Sequence, residues 1–247
     1  MAISTNPLAW LRSVQPRRAI ALLLLLLPLT VGAQTVRDLW LSMPPSLAPY
    51  LSTSLRTQCL DFYDMHTDAQ TDNALKGKSR IDTLTSTFLA ATLSKAHTLQ
   101  MKLLPASGSG LGSASASVSG SGSSMVSGSV SSSSLSSCDS VLCVVRSWDG
   151  PKRDSEVQLF DRQWKPLQAP LTFSADSFVC RPDTMSEERF SRLVAMLDPI
   201  MFSVSLSPAE NVLLVKLSPV VPNPEDEKAI EQILVQRKLK WDGKTFK

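Results

Sequence analysis

The chain has 247 residues, with 25 Lys and Arg against 22 Asp and Glu. Three of the basic residues, Arg12, Arg17 and Arg18, fall within the first 33 positions, where no acidic residue occurs, so 22 basic and 22 acidic residues balance from Gln34 onward. A zero balance removes the electrostatic basis of nucleic-acid binding, so no nucleic-acid partner is expected.

Residues 1–33 read as a secretory signal peptide. The arginines form a positive leading region, residues 19–27 are an apolar stretch broken by Pro28, and Val31-Gly32-Ala33 suits cleavage after Ala33. The apolar stretch is too short to cross about 30 Å of hydrocarbon, so the chain is not expected to span a membrane once the peptide is removed. Export to the periplasm or cell envelope is the expected location. Residues 34–247 are expected to fold as a single domain.

Val36, Leu39 and Trp40 recur at helical spacing. Pro44-Pro45 interrupts, Ser46 offers a cap, and Leu47, Leu51 and Leu55 make the stripe of a second helix, with Pro49 in its first turn. Both short helices should lie across a sheet face. Residues 61–73 are dense in Asp61, Asp64, His66, Asp68 and Asp72. Carboxylates and an imidazole are the ligand types of divalent cations, which makes Asp61, Asp64, His66 and Asp68 the candidate metal ligands. The spacing lacks the glycine and closing glutamate of an EF-hand loop, and a solvated, turn-rich connection explains the same residues.

A β region follows. Residues 80–84 and 87–93 read as strands, and Leu99, Met101 and Leu103 alternate with Gln100 and Lys102 as in a half-buried strand. His97 opens that strand, where a packing or surface role suffices. Residues 106–137 are almost entirely Ser, Gly, Ala and Val, a composition that buries too little apolar surface to order itself. Lengthening a strand connection to this extent costs only about 2 kcal/mol of closure entropy. A disordered insertion within one domain is therefore expected.

The unbroken run Val141-Leu142-Cys143-Val144-Val145 marks a strand buried on both faces. Asp149-Gly150-Pro151 turns the chain into the alternating Glu156-Val157-Gln158-Leu159, giving a central hairpin. Residues 171–180 suggest another short strand. Thr184 and Glu187 form a T-x-x-E capping box before the stripe Phe190, Leu193, Val194 and Leu197. Phe202, Val204 and Leu206 and then residues 212–217 make a further hairpin. Asn223 caps a helix with Pro224 in first position, and Asp242-Gly243 closes a C-terminal hairpin. Helices, strands and short turns in this order indicate an α+β fold, an antiparallel sheet of hairpins packed by several short helices.

Cys59, Cys138, Cys143 and Cys180 lack metal-binding spacing; an exported chain could oxidise them, though buried free thiols are the plainer reading. No nucleophile elbow, H-E-x-x-H, P-loop or dinucleotide fingerprint occurs, so no catalytic residue and no cofactor is assigned. Arg237, Lys238, Lys240, Lys244 and Lys247 suit an edge strand guarded against aggregation. Trp148, Trp164 and Trp241 suit half-buried sheet positions.

The segments TVRDLWLSMPPSLAPYL (35–51), LKGKSRIDTLT (75–85), DSVLCVVRSW (139–148) and SEVQLFDRQW (155–164) resemble an uncharacterised exported domain-of-unknown-function family of Bacteroides-type bacteria. The resemblance covers most of residues 34–247, with the Ser/Gly tract as an insertion. It implies an envelope setting and carries no activity. That setting also draws attention to the O-glycosylation triplets Asp82-Thr83-Leu84, Asp139-Ser140-Val141 and Asp183-Thr184-Met185. The leading functional expectation is a non-enzymatic module that binds an envelope protein or glycan, with β-strand addition at a sheet edge as one mode. The alternatives are a periplasmic hydrolase or metal-dependent enzyme using residues 61–72, and a small-ligand binder.

Overall fold

The computed structural model describes residues 34–106, 140–221 and 223–247; the expected signal peptide, the Ser/Gly tract beyond Ala106, and Cys138 lie outside them. Six strands form one antiparallel sheet in sequential order: β1 (Thr71–Asp72), β2 (Lys78–Leu84), β3 (Phe88–Ser94), β4 (His97–Pro105), β5 (Ser140–Asp149) and β6 (Arg153–Phe160). The apolar run in β5 behaves as its sequence indicates. Leu142 and Val144 enter one core, and Val141, Cys143 and Val145 enter another on the opposite face. The β5–β6 hairpin is not central, however, because β6 lies at the end of the sheet. On its other side β5 pairs with β4 along its length, from His97↔Trp148 to Pro105↔Ser140, so residues 107–139 connect neighbouring strands.

Two helices cover the first face. Thr35 and Asp38 form a capping box at the start of α1 (Val36–Ser42), which buries Val36, Leu39 and Trp40. The second helix, α2 (Thr53–Asp64), starts at a Ser52 cap and not at Ser46. Pro44, Pro45 and Pro49 restrict the residues before them and remove backbone donors, so residues 44–51 form turns. Leu47 and Leu51 are still buried, from turns instead of a helix stripe. Arg56 ties this layer together, donating through Nη1 to the Met43 carbonyl at 2.6 Å, while the Trp40 indole donates to the Arg56 carbonyl at 3.0 Å.

The second face is covered by a three-stranded antiparallel sheet, β7 (Phe202–Leu206), β8 (Val212–Leu217) and β9 (Arg237–Lys240), with helices α3 (Glu187–Ala195) and α4 (Pro224–Glu231). Three local expectations shift here. Residues 171–180 are not a strand: Leu171 bridges to Val157 and a 3-10 turn runs over Ala175–Phe178. That turn lets Phe173 and Phe178 meet Phe202 in an aromatic cluster, with ring centroids 5.4 Å from Phe202 in each case. Ser186, not Thr184, caps α3, and Arg189 takes the third helical position, so no capping box forms. The cause is Met185, which is buried and held in a turn by its N–H donating to the Pro182 carbonyl. Asn223 and Pro224 start α4 as read, and Trp241↔Phe246 closes the C-terminal hairpin.

The sheets are joined by side chains reaching backbone. Lys102 is only 2% exposed, and its ammonium donates to the carbonyls of Ser207, Pro208 and Glu210 at 2.6, 3.0 and 2.7 Å. Burial pushes its pKa down. Alternate N–H groups of β7, those of Phe202, Val204 and Leu206, donate to Asp154 Oδ1, Ser155 Oγ and Gln100 Oε1 at 3.3, 3.1 and 2.8 Å. The strand read as half-buried is therefore enclosed on both sides, and its polar residues bond across the interface. The same bonds close the β7 edge to strand addition. Residues 165–171 cover the edge of β6, with the N–H groups of Leu167 and Leu171 donating to the Leu159 and Val157 carbonyls.

Among the described residues no helix is long and apolar enough to cross a membrane. Cys59 and Cys143 are buried free thiols and Cys180 is an exposed one.

Replacing Lys102 with Met keeps the length of the side chain but strands the Ser207 and Pro208 carbonyls, while the Glu210 carbonyl keeps the Val212 N–H. Urea unfolding should show a loss of about 2–4 kcal/mol. A loss below about 0.5 kcal/mol would mean that water reaches those carbonyls.

Candidate functional site

The residues singled out as metal ligands separate into two places. Asp61 and Asp64 lie in the last turns of α2, where Asp64 forms a bidentate ion pair with Arg37 of α1. The Arg37 guanidinium holds the Asp64 carboxyl below the usual carboxylate range. His66 and Asp68 instead line a cleft of about 340 Å³ between the segment after α2 and strand β2, together with Cys59, Tyr63, Arg80 and Asp82. The Asp82 carboxylate is already engaged, accepting from Arg80 Nε and Thr92 Oγ1, each at 2.7 Å. Asp72 pairs with Lys78. Among the described residues no three His, Cys, Asp or Glu side chains are grouped to hold a metal ion.

His97, expected to have a packing or surface role, is buried within an aromatic group. Its Nδ1 hydrogen-bonds the Tyr50 hydroxyl, and its ring stacks on Trp148 at 5.3 Å. The Arg146 guanidinium sits 5.4 Å from the Trp148 ring centroid and pairs with Glu156 at 2.6 Å. Burial, reinforced by Arg146, lowers the His97 pKa to about 4, so the ring is neutral near pH 7. Trp148 remains 39% exposed.

The most elaborately braced feature of the surface is the turn between β1 and β2. Asn73 is 5% exposed and uses its whole amide. Its Oδ1 accepts from the N–H groups of Leu75 and Gly77, both at 3.0 Å, and its Nδ2 donates to Ser79 Oγ at 3.1 Å and the Leu93 carbonyl at 2.7 Å. Its backbone N–H donates to the Gly77 carbonyl. A Cβ at Gly77 would stand 3.1 Å from Asn73 Nδ2, so the tightness of this brace favours glycine. Lys76, at the tip, has φ 57°, the left-handed region that costs a side-chain-bearing residue about 1–2 kcal/mol. The result is a rigid turn that holds Leu75 68% exposed.

Beside this turn lies an open groove of about 690 Å³, bounded by Gln70, Leu75, Lys76, Lys78, Thr92 and Lys95. Lys78 is paired with Asp72, and Arg80, also on its wall, with Asp82. Among the described residues Lys76 and Lys95 make no ion pair, so the groove wall carries more basic charge than the carboxylates of Asp72 and Asp82 offset. The strand registers place turns 73–77, 95–96 and 150–152 at the same end of the sheet. Tyr50 links them, its carbonyl accepting from Ala74 N–H and its hydroxyl meeting His97.

This end of the sheet was not singled out by sequence patterns, because residues 61–73 drew attention as possible ligands and Asn73 counted only as their last member. The available signal was a leucine between turn residues, in Asn73-Ala74-Leu75-Lys76-Gly77. Of the three glycosylation triplets, Thr184 is exposed on a loop, while Thr83 and Ser140 are half-buried strand residues.

A family described as "Protein of unknown function (DUF3256)" matches residues 28–111 and 124–246, and the break at 112–123 lies inside the Ser/Gly tract. No curated protein matches. Among solved structures, a domain of an uncharacterised protein from Porphyromonas gingivalis W83 is similar at 22% identity and a TM-score of 0.60, covering 87% of this chain and 99% of that one. It shares the α+β fold.

Two outcomes follow for these residues. An NMR titration of the His97 imidazole should give a pKa near 4, whereas a value near 6.5 would mean that the ring is solvated. Because the unfolded chain binds this proton more readily, the His97 contribution is complete above about pH 6.5 and is lost as pH falls to about 4, by up to about 3 kcal/mol. Lys76→Gly, which relieves the left-handed strain, should leave urea stability unchanged or raise it by up to about 1 kcal/mol. A clear loss would show that the lysine side chain itself supports the fold.

Proposed function

The chain belongs to the DUF3256 family, and from that premise we propose that it is an exported, non-catalytic binding module of the cell envelope whose contact face is the end of the six-stranded sheet bearing the Asn73 turn. The observation that carries this reading is the turn itself. Six hydrogen bonds made by one buried asparagine hold a strained lysine and an exposed leucine in a fixed position. Stability alone favours glycine at position 76 and a polar residue at position 75. Rigid presentation of an apolar side chain reduces the ordering cost of binding, which is the common feature of preorganised contact surfaces.

Export is supported by residues 12–33, with their arginines, short apolar stretch and small residues before Gln34. The hydrolase or metal-enzyme alternative draws on His66 and Asp68 in their cleft, but Asp64 is not among the residues lining it and its carboxylate is taken up by Arg37.

Protein recovered from the envelope fraction should begin at Gln34 when sequenced from its N-terminus, and should co-sediment with purified envelope material. The exported form carrying Leu75→Asp and Lys76→Glu should lose most of that association while melting at the same temperature. An intact residue 1–33 segment would overturn the export reading, and equal co-sedimentation of the variant would overturn the contact face.

A further inference from the structure

We infer that the partner of this face is an anionic phospholipid surface, with Leu75 entering the acyl boundary and Lys76, Lys78 and Lys95 meeting headgroup phosphates. The inference rests on the contact face just described and names its partner.

Shape comes first. Leu75 stands in a tight turn on the wall of an open groove, 68% exposed, with its position set by Asn73. An apolar residue that serves a protein pocket needs a surrounding rim to exclude water. A leucine 68% exposed and flanked by lysines instead suits insertion into a soft apolar medium, where the lipid closes around it. Charge is the second point. Lys76 and Lys95 have no ion-pair partner among the described residues, and Lys78 has only the exposed carboxylate of Asp72, which a phosphate can displace. All three flank Leu75 around one groove, where lysines gain from a negative surface potential within a Debye length. Trp148, at the same end of the sheet and half exposed, is the residue type that prefers the headgroup level, and Arg146 lies against its ring. An acidic peptide would also meet the lysines, but would leave Leu75 without an apolar environment.

The test uses the exported form of the protein with its N-terminus verified, so that residues 1–33 do not themselves bind lipid. Vesicles of phosphatidylethanolamine with phosphatidylglycerol are compared with neutral phosphatidylcholine vesicles by co-sedimentation. The anionic vesicles should bind at least about tenfold more tightly, and binding should fall as sodium chloride is raised. Lys76→Glu with Lys95→Glu should remove that preference, and Leu75→Asp should weaken binding at every salt concentration. Leu75→Trp should add a blue-shifted emission on binding that brominated lipids quench. Circular dichroism melting confirms that each variant is folded.

Equal binding to neutral and anionic vesicles, no vesicle binding, or an added emission in the Leu75→Trp variant that brominated lipid leaves unquenched would each overturn the inference. If envelope association depends on Leu75 and Lys76 while the anionic vesicles do not bind, the contact face stands and its partner is not lipid. If neither depends on those residues, both readings fail.

Discussion

Burial of the six-stranded sheet on both faces is the constraint from which the rest of the architecture follows. A sheet covered on one side can direct its polar residues to water, but β4 cannot. Its even-numbered residues face the second sheet, and among them Gln100 and Lys102 must find partners there. They find them in the backbone of β7 and its turn to β8. The ammonium of Lys102 has three donors and meets three carbonyls, so a charge that would be costly in an apolar layer becomes the fastening of that layer. Asp154 and Ser155 extend the arrangement along the β7 edge. One set of bonds thus satisfies buried polar groups, sets the position of the small sheet on the large one, and closes an edge to further strand pairing.

The Asn73 turn is built by the opposite strategy to Lys102. Lys102 removes strain from the interior by satisfying every donor. Asn73 uses a fully satisfied interior amide to impose strain at the surface, keeping Lys76 in a left-handed conformation and Leu75 in water. Local strain of this kind persists where the surrounding contacts over-determine it. Here the over-determination comes from Ser79 and Leu93, on two neighbouring strands, so the turn is as rigid as the sheet that supports it.

Much of the fold was legible in the sequence wherever a strong local pattern met no competing demand. The double-sided burial of residues 141–145 and the Asn223-Pro224 helix start stand in the structure, and the C-terminal hairpin forms too, though Trp241 pairs with Phe246 across residues 242–245 instead of across a two-residue Asp242-Gly243 turn. Patterns failed where tertiary contacts outweighed them. The stripe of Leu47, Leu51 and Leu55 suggested a helix, but three prolines made turns that buried the first two leucines equally well. Thr184 and Glu187 matched a capping box until the burial of Met185 moved the helix start. Gln100 and Lys102 gave the alternation of a half-exposed strand because sequence shows polarity and not what satisfies it. The candidate face was least legible, since the importance of Asn73 lies in Leu93, twenty positions further along the chain.

The position of the Ser/Gly tract bears on the same question. The β4–β5 ladder runs from His97↔Trp148 at one end to Pro105↔Ser140 at the other. The tract joins at the second end, and the Asn73 turn, Lys95 and Trp148 stand at the first. Strand rise puts about 27 Å of sheet between them. The family match is interrupted at 112–123, inside the tract, while the turn residues 73–77 lie within the matched region. Variation in length at one end of a stiff ladder leaves the geometry of the other unchanged, because the paired backbone between them admits no change in register without moving every side chain of β4 to the wrong core. The fold can therefore carry a long insertion and a rigid turn together, since the sheet mechanically separates the two.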